Sequence, residues 1–272
     1  MKRYLTMIAI LPLLLASCGT NGSSQERIQA SGTIEALQVN VSAKAGGQIK
    51  GLWGREGDDV RLGDTLMVTD HVMLDLQLRQ SLAGRELARI QYENDRKDDQ
   101  RTSELFQKGS VTQKQRDDVN ARFRASGARL EQARASADMI RKNISDCYVT
   151  APLGGTITNS TYEIGETAGP GSILFTISKM DTVELVVYVN EKELGYVKLG
   201  QGAEIRIDTF KDKTFSGKVV YISPQAEFTP KNIQTKQDRV KQVFGVKLKI
   251  PNPEQQLKPG IPADAAIFIK GQ

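Results

Sequence analysis

The sequence is short of the residues that most site chemistry requires. It has one histidine, two cysteines and one tryptophan in 272 residues. No group of histidines and cysteines has metal-ligand spacing, so no metal site is expected. At most one disulfide can form, between Cys18 and Cys147. The one Cys/His combination open to nucleophilic catalysis is Cys147 with His71, and no phosphate loop or other nucleophile–base pair accompanies it. Aromatic residues make up only 6 % of the chain, which favours slim modules over one large core. An excess of one charge is also missing. The formal net charge is +5 and the basic residues are interleaved with acids, which argues against a nucleic-acid surface.

What is present begins with a targeting signal. Lys2 and Arg3 form a positive n-region, and Leu5 to Leu15 is an apolar run too short to span a bilayer. The run ends Leu15-Ala16-Ser17-Cys18, followed by Gly19, the lipobox pattern of bacterial lipoproteins. Residues 1–17 are therefore expected to be cleaved, which lowers the net charge from +5 to +3, and Cys18 to carry acyl chains that hold the protein on a membrane. Residues 18–27 read as a flexible polar tether. Once Cys18 is lipidated Cys147 has no disulfide partner, and core packing is its expected role.

A stretch near the start then recurs. Residues 41–49 (Val-Ser-Ala-Lys-Ala-Gly-Gly-Gln-Ile) are echoed at 149–157 (Val-Thr-Ala-Pro-Leu-Gly-Gly-Thr-Ile). Gly57, Val60, Gly63 and Leu66 keep the same offset to Gly165, Ala168, Gly171 and Leu174. The spacing predicts two halves of one small β-sandwich, 41–70 and 146–179, preceded by a strand over 28–40. Between the halves, 71–145 reads as two long helices. Leu74, Leu78, Leu82, Leu87 and Ile90 recur at helical spacing in the first, and its far end from Glu93 to Glu104 is almost wholly polar. Gly109 is placed to end that helix. Thr112 with Gln115 is a capping-box pattern that starts the next. In the second helix Val119, Phe123, Ser126, Leu130, Ala133, Ala137, Ile140 and Ile144 alternate steps of four and three, a heptad seam. Two helices of this length reach roughly 50 Å at 1.5 Å per residue. From 180 to 272 the pattern changes to strands at 183–189, 203–208, 214–222, 243–250 and 263–269. A short helix at 191–198 is capped by Asn190 with Glu193, and a loop covers 224–242. Together these fit a small β-barrel with a short C-terminal membrane-proximal part. The fold class expected is mainly β, elongated, with a long coiled-coil hairpin inserted in a split sandwich.

The turn Glu56-Gly57-Asp58-Asp59-Val60-Arg61-Leu62-Gly63-Asp64-Thr65-Leu66 resembles that of biotinyl/lipoyl domains. In those carriers the next turn holds a modified lysine. Here Met67-Val68-Thr69-Asp70-His71 has none, and the helices begin instead. A lipidated chain with a lipoyl-like domain split by a helical hairpin resembles the periplasmic adaptors, or membrane fusion proteins, of the HlyD family. Many members carry Arg-x3-Leu-x6-Ser at the hairpin tip, which engages a TolC-like outer-membrane channel. Arg101, Leu105 and Thr112 have that spacing, with threonine for serine. Leu257-Lys-Pro-Gly-Ile261 resembles a turn of the family's barrels, and Ala226–Lys231 with the short chain resembles adaptors paired with ABC exporters. The resemblance implies a non-enzymatic, cofactor-free protein. It would face the periplasm, anchored to the inner membrane and assembled as a ring, often a hexamer, between an inner-membrane pump and the outer-membrane channel. Competing readings are a biotinyl/lipoyl carrier and a structural coiled-coil lipoprotein.

Overall fold

The two halves of the repeat hold each other by reciprocal hydrogen bonds. In the computed structural model, which describes residues 27–228 and 242–269, the Gly57 N–H donates to the Ile157 carbonyl at 2.9 Å and the Gly165 N–H to that of Ile49 at 3.0 Å. Gly63 donates to Ala151 and Gly171 to Ala43, both at 2.8 Å. The same exchange recurs between Ile157 and Asp58 and between Ile49 and Glu166. Gly57, Gly63, Gly165 and Gly171 adopt φ between 85° and 95°, a left-handed region that only glycine enters without steric cost. Their spacing is the backbone requirement behind the repeat. Neither half can satisfy its turn amides alone, so the sandwich forms only when segments on either side of the helices meet.

The elements along the chain are β1 (Arg27–Ser42), β2 (Gly47–Leu52), β3 (Asp59–Val60) and β4 (Thr65–Thr69), then α1 (Val72–Gln107) and α2 (Gln113–Asp146). They continue as β5 (Tyr148–Thr150), β6 (Gly155–Ser160), β7 (Thr167–Ala168), β8 (Ile173–Asn190) and α3 (Glu191–Leu194). The last four are β9 (Gly202–Arg206), β10 (Phe215–Phe228), β11 (Gln242–Pro251) and β12 (Pro262–Phe268). The sandwich core gathers equivalent residues of the two halves: Ala43 with Ala151, Ile49 with Ile157, Leu66 with Leu174. Six strands in the order β1-β12-β9-β10-β11-β8 close on themselves because β8 also pairs with β1. Closure leaves this barrel no open edge, and its core is Ile34, Leu185, Ile205, Leu248, Ile250 and Leu257 among others.

β1 and β8 belong to both modules. Residues 32–36 of β1 pair with 187–183 of β8 in the barrel, and 37–42 pair with 179–173 in the sandwich, with a register shift between Ala36 and Leu37. Buried Asn252 pins the shift: its Nδ2 donates to the carbonyls of Met180 at 2.8 Å and Leu257 at 2.9 Å, and its Oδ1 accepts the Leu257 N–H. The turn after it returns to β1, where the Gly260 N–H donates to Ile34 and the Ile34 N–H to Ile261.

Several expected boundaries shift. The strand over 28–40 and the C-terminal strand pair with one another from Arg27↔Phe268 to Thr33↔Pro262, as two strands of the barrel rather than a separate module. Residues 224–228 are not loop: β10 continues past a bulge, with Ala226 opposite Phe244. The helix after Asn190 is a single turn, and the Asn190 side chain bonds Glu193 Oε2 at 3.3 Å instead of capping the backbone. The lipobox with Cys18, the tether up to residue 26 and the loop over 229–241 lie outside the described residues.

Candidate functional site

The helix pair starts at the turn where a carrier domain would present its lysine. Asp70 caps this start by accepting the Val72 N–H at 3.0 Å, and that hydrogen bond holds its carboxyl below the usual carboxylate range, with Lys50 at 3.5 Å adding to the effect. His71 is the residue before the first turn. Its Nδ1 bonds Asp75 at 2.8 Å and its Nε2 bonds the Tyr148 hydroxyl at 3.0 Å, tying the start of α1 to the strand that follows α2. The side chain of Cys147 is buried beside this junction, its carbonyl accepting the Thr69 N–H. Both His71 ring nitrogens are thus engaged by Asp75 and Tyr148, and the Cys147 thiol donates to the Asn143 carbonyl at 3.4 Å.

α1 and α2 run antiparallel. Tyr92 stacks on Phe123 with centroids 5.2 Å apart, Asn120 donates to Asp99 at 3.1 Å, and the Arg116 guanidinium lies over Phe106. All eight expected seam positions of α2, from Val119 to Ile144, are buried or half-buried. Past Leu82 the inner seam of α1 leaves the apolar residues at helical spacing. It passes through Ala88, Tyr92, Asp95, Asp99 and Phe106, while Leu87 is 71 % exposed and Ile90 is also exposed. Those two leucine/isoleucine positions fit helical spacing but fall off the four–three alternation of the inner seam, so they turn away from α2. They belong to a second stripe on the outer side: Met73, Leu76, Gln80, Ala83, Leu87, Ile90 and Asn94, again in steps of three and four. α2 has a matching outer stripe of Ala121, Ala125, Ala128, Gln132, Ala135 and Met139. Every residue of both stripes is exposed, and none is charged.

At the far end the chain turns in five residues, Lys108 to Thr112. The Gly109 N–H donates to Phe106 and the Ser110 N–H to Leu105, the paired bonds of a Schellman motif, with Gly109 at φ 71°. Thr112 then opens α2 with a complete capping box: its Oγ1 accepts the Gln115 N–H at 3.3 Å and the Gln115 Oε1 accepts the Thr112 N–H at 2.8 Å. Thr112 thus has a structural task of its own. Thr112→Ala is expected to lower the stability of the helix pair by about 1 kcal/mol while Thr112→Ser leaves it unchanged, measured by thermal unfolding followed by helical circular dichroism. Leu105 is 39 % exposed, and the Arg101 side chain is 70 % exposed with Asp98 at 3.5 Å. The three tip residues flank the bend, with Arg101 and Leu105 on the outer flank of α1 and Thr112 at the start of α2.

The family described as "RND MFP, barrel-sandwich hybrid domain" matches residues 37–178, which takes in both repeat halves and the helices between them. The chain belongs to the membrane fusion protein family. Residues 184–267 match a "YknX-like beta-barrel domain", in agreement with the closed barrel. A membrane protein of Acidithiobacillus ferridurans (UPF0194, in the asrC 5' region) is 35 % identical over 143 residues, covering 53 % of this chain and 42 % of that protein. The membrane fusion protein Spr0693 of Streptococcus pneumoniae R6 superposes with a TM-score of 0.69 at 16 % identity, over 90 % of this chain and 100 % of the other. MacA of Actinobacillus actinomycetemcomitans gives 0.69 at 19 % identity, over 90 % and 79 %. These likenesses carry the fold, a membrane fusion protein's sandwich and barrel with a helical insertion. No helix among the described residues is long and apolar enough to cross a membrane. Reading the sequence for one apolar face per helix misses the outer stripe. The signal that finds it is a second four–three alternation, displaced two positions from the first.

Proposed function

We propose that this protein is the periplasmic adaptor of a tripartite export pump. It links an inner-membrane transporter to a TolC-like outer-membrane channel and moves substrate by conduction, with no chemistry of its own. The Ala226–Lys231 segment favours an ABC exporter as the pump. Lipid on Cys18 would hold it at the inner membrane, and the helix pair, a coiled-coil hairpin, would carry Arg101, Leu105 and Thr112 to the channel.

The observation that carries this reading is the pair of uncharged outer stripes. In a heptad of 3.5 residues per turn, a stripe displaced two positions lies about 155° around the helix from the inner seam. Each helix therefore offers two contact lines nearly back to back, bent by about 25° towards the same side of the pair. Helices joined through such lines close into a tube after roughly fourteen of them, or about seven pairs, close to the six expected of a ring. The stripe of α1 is bulky (Met73, Leu76, Leu87, Ile90) and that of α2 is small (Ala121, Ala125, Ala128, Ala135), so each fits the other better than itself. That asymmetry supports head-to-tail contacts, the kind that generate rings.

The tip assignment has its own test. Leu105→Asp removes an exposed apolar knob without touching the inner seam. It is expected to cut crosslinking of the tip to a co-expressed outer-membrane channel by at least about thirty-fold, the loss of one hot-spot contact, and to abolish export with the helical signal unchanged. Undiminished crosslinking and export in that variant overturn the channel assignment.

A further inference from the structure

The outer stripes change character towards the tip, and they do so in complementary ways. On α1 the four–three line continues beyond Asn94 through Lys97 to Arg101 and Glu104. On α2 the same line, followed back from Ala121, reaches Asp118 and Lys114. The register of the pair fixes which of these residues share a level. His71 is level with Tyr148 and Asp99 with Asn120, through direct hydrogen bonds. Two residues further up each helix, Arg101 is level with 118, and Glu104 is level with 115, one residue from Lys114. Within one chain these groups cannot meet, because they lie on opposite flanks of the helix pair. Copies arranged around an axis parallel to their helices sit at equal heights. There the α1 flank of one copy meets the α2 flank of the next with cation opposite anion at one level and anion opposite cation at the next.

We propose that Arg101 closes the seam between adjacent copies by pairing with Asp118 of the neighbouring chain, with Glu104 answering Lys114. This rests on the ring reading given above and changes the part Arg101 plays in it. Among the described residues of its own chain Arg101 has only Asp98, at 3.5 Å and largely in water, and Lys114 and Asp118 have only each other, one turn apart at 3.0 Å. Exposed pairs of this kind contribute little and exchange readily. Pairing across the seam removes both couples from water beside the alanines of α2, and there opposite charges at matched height set register and reject a slipped neighbour. The apolar lower stripe supplies attraction and the charged upper part supplies alignment. Leu105, one turn beyond Arg101, is then the residue left for the channel at the rim.

The test uses the full-length chain in its membrane and two cysteine pairs, with buried Cys147 left in place. Leu87→Cys with Gln132→Cys probes the apolar seam, and Arg101→Cys with Asp118→Cys probes the tip. Under mild oxidation both pairs are expected to give a ladder of disulfide-linked multimers of the same maximum size. A ladder from the lower pair alone overturns the tip seam and leaves the ring standing, and no ladder from either overturns both. Charge exchange separates a seam from a channel contact. Arg101→Asp is expected to reduce export at least about ten-fold, and adding Asp118→Arg to restore it to within about two-fold of wild type. A double variant as defective as the single one returns Arg101 to the channel and overturns the pairing.

Discussion

Gly32→Ala is expected to abolish the folded barrel. Gly32 sits in β1 where that strand is hydrogen-bonded on both sides, opposite Ala263 of β12 and Val187 of β8. A Cβ there would overlap the carbonyl oxygen of Val186 and lie 2.7 Å from its carbonyl carbon and 2.9 Å from the Val187 Cα. All three are backbone atoms, so no flexible side chain can swing aside. Relief requires β1 to part from β8, and the β1–β8 pairing is what closes the six-stranded barrel. It also carries the only two strands shared by barrel and sandwich among the described residues, so the strain reaches both modules. The cost is on the order of the whole stability of a small domain, about 5 kcal/mol or more. A contrasting substitution makes the measurement specific. Gly84 lies in α1 with open space around its missing Cβ, and Gly84→Ala is expected to stabilise the helix pair by about 1 kcal/mol. Thermal unfolding by circular dichroism checks both. A Gly32→Ala protein that melts with the wild type would falsify the account of barrel closure.

The contrast between these glycines marks what the sequence could disclose. Gly57, Gly63, Gly165 and Gly171 were legible because they repeat, and a repeat of turn glycines states a backbone conformation. Gly32 was not legible: it stands alone in a strand, and the atoms that forbid a side chain there belong to Val186 and Val187, far along the chain. The boundaries of α1 and α2 could be read closely, since each has a local cause in the Gly109 turn and the Thr112 cap. The turn after Asn190 reads as a longer helix in the sequence because a capping pattern is a local offer that the surrounding barrel need not accept. Helical spacing placed Leu87 and Ile90 in the first helix without saying which face they take. A long helix in a thin pair has room for two apolar lines, and hydrophobic spacing alone does not say which one faces its own partner. Spacing placed Arg101, Leu105 and Thr112 around the expected bend, but it could not show which backbone and side-chain groups the Thr112 cap bonds would engage.

Leu87→Asp is expected to separate assembly from folding. Leu87 is 71 % exposed in the single chain, so an aspartate there removes almost no packing within the chain and should leave the melting temperature within a few degrees of wild type. In a ring the same position lies in the seam against the small residues of the next α2. Burying a leucine there contributes about 1.5–3 kcal/mol per contact, and an unpaired carboxylate in its place adds a desolvation cost. Each seam is therefore weakened by at least about ten-fold, and a closed ring contains as many such seams as chains, so the losses multiply. The expected result is a folded monomer by native mass spectrometry or sedimentation, with export lost. Ala137→Asp is the converse case. Ala137 is fully buried in the inner seam between α1 and α2, so a charge there should melt the helix pair itself. If Leu87→Asp keeps the wild-type oligomer while Ala137→Asp unfolds the pair, the outer stripe is a solvated surface and the chains meet elsewhere. If Leu87→Asp gives folded monomers, the leucine that one apolar face per helix cannot explain belongs to a neighbour.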